Sequence, residues 1–134
     1  MIGILIIAHE RLGESLIECA THMLGERPQQ LHALAVKSSD EPDALLQQAL
    51  TIASEIDSGD GVLVLSDIYG GTPCNIATKL VGDKHSQGIS GLNLPMLIVA
   101  LSYRHLPLDD CLTKAMNSGQ ESVVHFNEKG CMPS

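Results

Sequence analysis

The chain has 134 residues, 44% of them apolar, and its sixteen acidic side chains against eight basic ones give a formal net charge of −8. That length suits one domain with its own core and leaves no room for a useful second one. The acidic balance argues against DNA or RNA as the main partner, because phosphate backbones are bound by concentrated positive charge, although an acidic whole can still carry one basic patch. With two Tyr, one Phe and no Trp, the core must be aliphatic.

Residues 2–8 form a near-continuous aliphatic run of strand length, as in a strand buried on both faces of a parallel sheet. His9, Glu10 and Arg11 end it, and no basic leader or cleavage site accompanies it, so it does not read as a secretory signal. Leu12, Leu16, Ile17, Ala20, Met23 and Leu24 then recur at helical spacing, closed by Gly25 and stopped by Pro28. Residues 31–36 read as a second strand. Ser39, Asp40 and Pro42 open a helix with Leu45, Leu46, Ala49, Leu50, Ile52, Ala53 and Ile56 on its inner side.

Gly59, Asp60 and Gly61 make a turn, and residues 62–65 form a third buried strand. The stretch SDIYGGTPCN at 66–75 leads into a helix through about Val81, with Thr72 as its N-cap and Pro73 at the first helical position. A fourth strand is expected at 89–92 and a helix from Pro95. Pro107 interrupts that helix, a further one runs from Leu108 and ends at Gly119, and residues 123–126 read as a short final strand before a polar tail. No stretch approaches the roughly 20 apolar residues of a membrane span. Cys19, Cys74, Cys111 and Cys131 include no CxxC pair and read as reduced thiols of a cytoplasmic protein.

Strands alternating with helices predict an α/β fold: a doubly wound, mainly parallel sheet flanked by helices, with a short C-terminal edge strand. Ligands and chemistry gather outside the carboxyl ends of such strands, near a switch in strand order. His9 ends the first strand, and Asp67 holds the equivalent place after the third. A carboxylate accepting from Nδ1 fixes the imidazole tautomer and leaves the Nε2 lone pair outward. Gly70, Gly71, Thr72 and Pro73 open the following helix, where close-lying N–H groups and the helix dipole favour an anion. The stretch is neither a Walker loop nor GxGxxG, so a nucleotide cofactor is not expected. Together these pieces suggest a histidine that takes a phosphoryl group, with Asp67 orienting it and N–H donors of Gly71 to Cys74 holding the phosphoryl oxygens. Transfer between two phosphohistidines is nearly balanced and needs no metal.

The remaining candidates are weaker. His22, His32, His85, His105 and His125 show no HxxxH or HxH metal spacing. Cys74 lies in a first helical turn and reads mainly as a filler; Tyr69 is a contact or packing residue of the Gly-rich loop. Arg11 is either a docking charge or a solvated one. Met96 reads as core.

Three segments, IIAH at 6–9, SDIYGGTPCNIA at 66–77 and GLNLPML at 91–97, resemble the IIA component of the mannose-type phosphoenolpyruvate:sugar phosphotransferase system (PTS). The resemblance covers nearly the whole chain, 1–134, as one IIA domain. It implies a phosphotransferase without a cofactor, with His9 phosphorylated on Nε2, Asp67 orienting it and Thr72 beside the phosphoryl group. It implies the phosphocarrier HPr as donor, a separate IIB domain or protein as acceptor, and a cytoplasmic homodimer that exchanges a C-terminal strand near 123–126. Two residues depart from the family's habit: Glu10 stands where Gly is common, and Cys74 where an aromatic is frequent. A regulatory or interaction subunit with the same fold is the alternative.

Overall fold

The computed structural model describes residues 1–82 and 85–130. Four strands, β1 (Gly3–His9), β2 (Leu31–Val36), β3 (Val62–Ser66) and β4 (Ser86–Ser90), form one sheet in the order β2-β1-β3-β4, and every pairing is parallel. Five helices connect and follow them: α1 (Leu12–Leu24), α2 (Pro42–Ile56), α3 (Thr72–Leu80), α4 (Leu94–Ser102) and α5 (Leu108–Glu121).

The aliphatic run of β1 is the centre of the molecule because it must be covered on both faces. Ile4, Ile6 and Ala8 join the core under α1, α4 and α5, whereas Leu5 and Ile7 join the core under α2 and α3. Alternate side chains of one strand therefore seed two hydrophobic layers, as the period of two requires. Gly13 lets α1 approach the sheet closely: a Cβ there would lie 2.9 Å from Ile6 Cγ2.

Gly25 ends α1 as its sequence signal indicates, whereas α2 and α4 are capped by residues the pattern did not single out. Gly25 closes α1 in the left-handed region at φ 92°, its N–H donating to Thr21 O. The Glu41 carboxylate accepts from Ala44 N at 3.0 Å, and Asn93 Oδ1 accepts from Met96 N at 3.0 Å, capping α2 and α4.

Several expectations are corrected. The fourth strand lies at Ser86–Ser90 instead of 89–92, and Ile89 is its one buried residue. As a polar edge strand it is defined by its ladder to β3, which hydrophobic patterning cannot detect. Helix α5 runs through Gly119 to Glu121, because Gly119 packs against Met96: a Cβ there would lie 2.7 Å from Met96 Cε. Residues 123–126 pair with no strand among the described residues, and Val123, Val124 and Phe126 are exposed. Leu12, Met23 and Leu24 of α1 and Leu50 of α2 are exposed rather than inward, so each helix buries a narrower stripe than its apolar spacing suggests. The predicted C-terminal tail lies partly outside the described residues, as does Cys131. Among the described residues no helix is long and apolar enough to cross a membrane.

Candidate functional site

From β1 the chain moves one way to β2, then returns past β1 to β3 and β4. The switch in strand order therefore lies between β1 and β3, and the crevice at their carboxyl ends is the favoured ligand position of such a sheet. The register sets Ile7 opposite Ser66, so the next residues to emerge, Ala8-His9 and Asp67, come out side by side.

His9 and Asp67 meet there. Asp67 Oδ2 lies 2.9 Å from His9 Nδ1 and also accepts from the His9 backbone N–H at 2.9 Å. Its other oxygen, Oδ1, accepts from Ile68 N–H at 2.9 Å. Burial works to raise the Asp67 pKa, but the two amide donors and the His9 ring outweigh it and hold the carboxyl below its ordinary 3.8. An ionised acceptor at Nδ1 selects the neutral tautomer with its proton on Nδ1, so the lone pair sits on Nε2. Nε2 makes no hydrogen bond to a described residue, and the side chain is 49% exposed. The site thus presents an oriented, accessible nucleophilic nitrogen.

The start of α3 closes over this ring. Its N-cap is Gly71, with Thr72 first and Pro73 second in the helix, one position earlier than the sequence signal suggested, and no side chain caps it. A Cβ at Gly71 would lie 3.3 Å from His9 Cε1 and 3.4 Å from Ile68 Cγ2. The Gly71 backbone is thus packed against the ring atom that joins Nδ1 to Nε2. Asn75 N–H is the first to bond within the turn, to Gly71 O at 3.0 Å. The N–H groups of Gly71, Thr72 and Cys74 therefore have no intrahelical partner, and Pro73 has none to offer. Unpaired donors with the positive end of a helix dipole favour an anion at this point.

All the residues singled out from sequence, His9, Asp67, Gly71, Thr72 and Cys74, belong to this one end of the sheet. Tyr69 is 85% exposed on the loop beside it. Arg11 turns instead to Glu18, Nη2 to Oε1 at 3.4 Å, as an exposed ion pair. Met96 is core. Glu10 follows His9 with φ 51°, in the left-handed region that disfavours a side chain.

Sequence reading passed over a second imidazole–carboxylate pair. His85 Nε2 lies 2.6 Å from Asp57 Oδ2, at the opposite, amino end of the strands, where His85 O accepts from Val62 N. Burial raises Asp57, but the Gly59 and Gly61 amides together with His85 bring it below the usual value. The signal was the Asp57-x-Gly59-x-Gly61 turn; its pairing with a residue 28 positions away is tertiary. Among the described residues no group of three or more His, Cys, Asp or Glu side chains is placed to hold a metal ion.

The chain is 31% identical over 131 residues to the PTS system mannose-specific EIIAB component of Escherichia coli K12, a match that takes in 96% of this chain and 40% of that protein. It therefore spans well under half the length of that relative. It is 32% identical over 130 residues to the PTS system fructose-specific EIIA component of Bacillus subtilis 168, covering 96% of this chain and 88% of the relative. The crystal structure of the phosphotransferase system component EIIA from Streptococcus agalactiae superposes with a TM-score of 0.81 at 28% identity, covering 93% of this chain and 97% of that one. Residues 3–116, which hold both His9 and Asp67 and every strand of the sheet, match the family model described as the PTS system fructose IIA component, and the chain belongs to that EIIA family.

Proposed function

We propose that this chain is a phosphohistidine relay component of a phosphoenolpyruvate-dependent sugar phosphotransferase system. It accepts a phosphoryl group from HPr on His9 and passes it to a IIB partner. The observation that carries this reading is the double engagement of Asp67 by His9, through Nδ1 and through the backbone N–H, with the Gly71 backbone against the ring.

The chemistry is compact. The Nε2 lone pair attacks phosphorus as the donor's N–P bond breaks, and that bond's electron pair stays on the donor nitrogen. No proton need leave Nε2, because the tautomer already carries its proton on Nδ1. As Nε2 bonds to phosphorus the ring gains positive charge, which the ionised Asp67 offsets across 2.9 Å. The N–H groups of Gly71, Thr72 and Cys74 receive the phosphoryl oxygens, so catalysis is positioning plus electrostatic stabilisation. The reverse sequence delivers the group to the acceptor. The exposed Val123, Val124 and Phe126 support a homodimer in which this segment is covered by a second copy.

The test is intact mass after incubation with phosphoenolpyruvate, Enzyme I and HPr. One acid-labile phosphoryl group on the wild type and none on His9→Ala is the expected result. No phosphoryl group on the wild type, with HPr itself phosphorylated, would replace this reading with a binding or regulatory role. Transfer onward to IIB, and mass in solution by light scattering, check the partner and the dimer.

A further inference from the structure

A groove of about 160 Å³ opens between α3 and β4, walled by Ser66, Tyr69, Cys74, Ala77, Gly88 and Ser90 among others. It shares Tyr69 and Cys74 with the loop and first turn that frame His9. Two groups face it. Cys74 is a free, half-buried thiol. Ser66 is 2% exposed, yet its hydroxyl bonds to no described residue. No fully enclosed side-chain oxygen or nitrogen among the described residues lacks a partner, so the Ser66 hydroxyl must reach the groove. With no partner among the described residues, this hydroxyl is available to whatever enters the groove. By contrast the Thr78 hydroxyl is already committed to Cys74 O at 2.8 Å.

The other described thiols differ. Cys19 is exposed on α1 and is not part of this groove. Cys111 is fully buried, its Sγ donating to Ala100 O at 3.5 Å, and burial pushes its pKa up, which disfavours the reactive thiolate. Cys74 alone of the three combines access with a concave, mainly apolar site and a free hydrogen-bonding hydroxyl. Its enclosed part is close in size to cavities of about 150 Å³ that hold benzene, so it can house a group of a few heavy atoms while the rest of a reagent stays in solvent.

We propose that Cys74 is a covalent modification site for small aliphatic disulfides, and that the adduct switches off phosphoryl acceptance at His9. The second half rests on the relay reading above. In the reaction the Cys74 thiolate, its proton lost to solvent, attacks one sulfur of the disulfide. A new S–S bond forms at Cys74 Sγ, the reagent's own S–S bond breaks, and its other half departs as a thiolate with the electron pair. The retained half lies in the groove against Ser66. It sits on the residue whose N–H is one of the unpaired donors, three places from the Gly71 backbone that packs on the His9 ring. Displacing that turn misplaces donors and ring together, and misplacement by about 1 Å is enough for large losses of rate.

The experiment treats the full chain with cystamine, maps adducts by peptide mass, and follows His9 labelling by phosphoramidate, a donor small enough to need no protein partner. The expected result is a cysteamine adduct on Cys74, labelling lowered by about tenfold or more, and recovery on adding dithiothreitol. A Cys19→Ser chain should lose labelling in the same way. In a Cys74→Ser chain, whatever its own labelling rate, cystamine should change nothing. Ser66→Ala should slow the adduct at Cys74 relative to that at Cys19. Modification of Cys19 without Cys74, or a full adduct on Cys74 with labelling unchanged, overturns the proposal. If untreated protein takes no phosphoryl group, the relay reading fails by itself, and the Cys74-to-Cys19 adduct ratio with and without Ser66→Ala still decides the modification site.

Discussion

At the scale of the residue, Asp67 matters because it is ionised and because both its oxygens are used. In an Asp67→Asn variant the amide can turn its NH2 to Nδ1, which moves the imidazole proton to Nε2 and removes the nucleophilic lone pair. Phosphorylation of His9 from HPr should then fall by about 100-fold or more with the fold retained; near-normal labelling would mean that Asp67 does not set the tautomer. The lowered Asp67 pKa also has a sign for stability. A carboxyl more acidic in the folded state contributes stability that is fully present above its ordinary 3.8 and is lost as pH falls through its lower folded value. Melting temperatures of wild type and Asp67→Asn should therefore converge as pH drops below about 4, and stay apart at neutral pH. Glu10 is the second residue of interest. With φ 51° it holds a side chain where glycine is relaxed. Glu10→Gly should raise the urea midpoint by an amount worth about 1 kcal/mol, whereas Glu10→Gln, which keeps the Cβ, should not. Equal effects of the two would assign the cost to charge instead of backbone.

At the scale of the element, the start of α3 and the end of β1 must be treated as one device. Gly71 has an ordinary φ of −86°, so a side chain there meets no backbone strain. It meets His9 Cε1 at 3.3 Å instead. Gly71→Ala should therefore cost little stability but lower the rate of His9 labelling by about tenfold, by pushing the ring off its line with Asp67. A loss of folding without a loss of specific labelling would contradict this. The elements also show what patterning can and cannot read. The aliphatic runs of β1 and β3, the Gly25 end of α1 and the prolines that open α2 and α4 are stated by local residue order. The polar β4 is not, since an edge strand with one buried residue is recognised by its partner's backbone. Gly119 looked like a helix end, yet it lies inside α5 because Met96 of α4 takes the space its side chain would fill.

At the scale of the whole molecule, Arg104 joins chain segments that are far apart in sequence. It is 6% exposed, in the connection between α4 and α5. Its Nε donates to Ile2 O at 3.0 Å and its Nη2 to Gln30 O at 2.9 Å, so one guanidinium holds the residues leading into β1 and β2. Its charge is held in place by geometry that two carbonyls supply, and no carboxylate among the described residues shares it. Arg104→Met keeps an unbranched aliphatic stem but is shorter and leaves both carbonyls without that donor, and should lower unfolding free energy by about 3 kcal/mol. Urea denaturation measures this; an unchanged midpoint would show that water replaces the guanidinium at no cost.

The sequence by itself determined the layered α/β architecture, the strand that forms its centre, and the placement of His9, Asp67 and the GGTP turn at strand ends. It could do so because burial on two faces, helix punctuation and strand termination are local properties of residue order. Distance is not local. Only the tertiary structure decided that Asp67 reaches both Nδ1 and the backbone N–H of a residue 58 positions earlier, that Gly71 touches the ring, and that Ser66 and Cys74 face one groove. Only it placed His85 on Asp57 and buried Arg104, neither of which residue order reveals. Register between parallel strands, set by packing on both faces of β1, is what converts those sequence positions into a site.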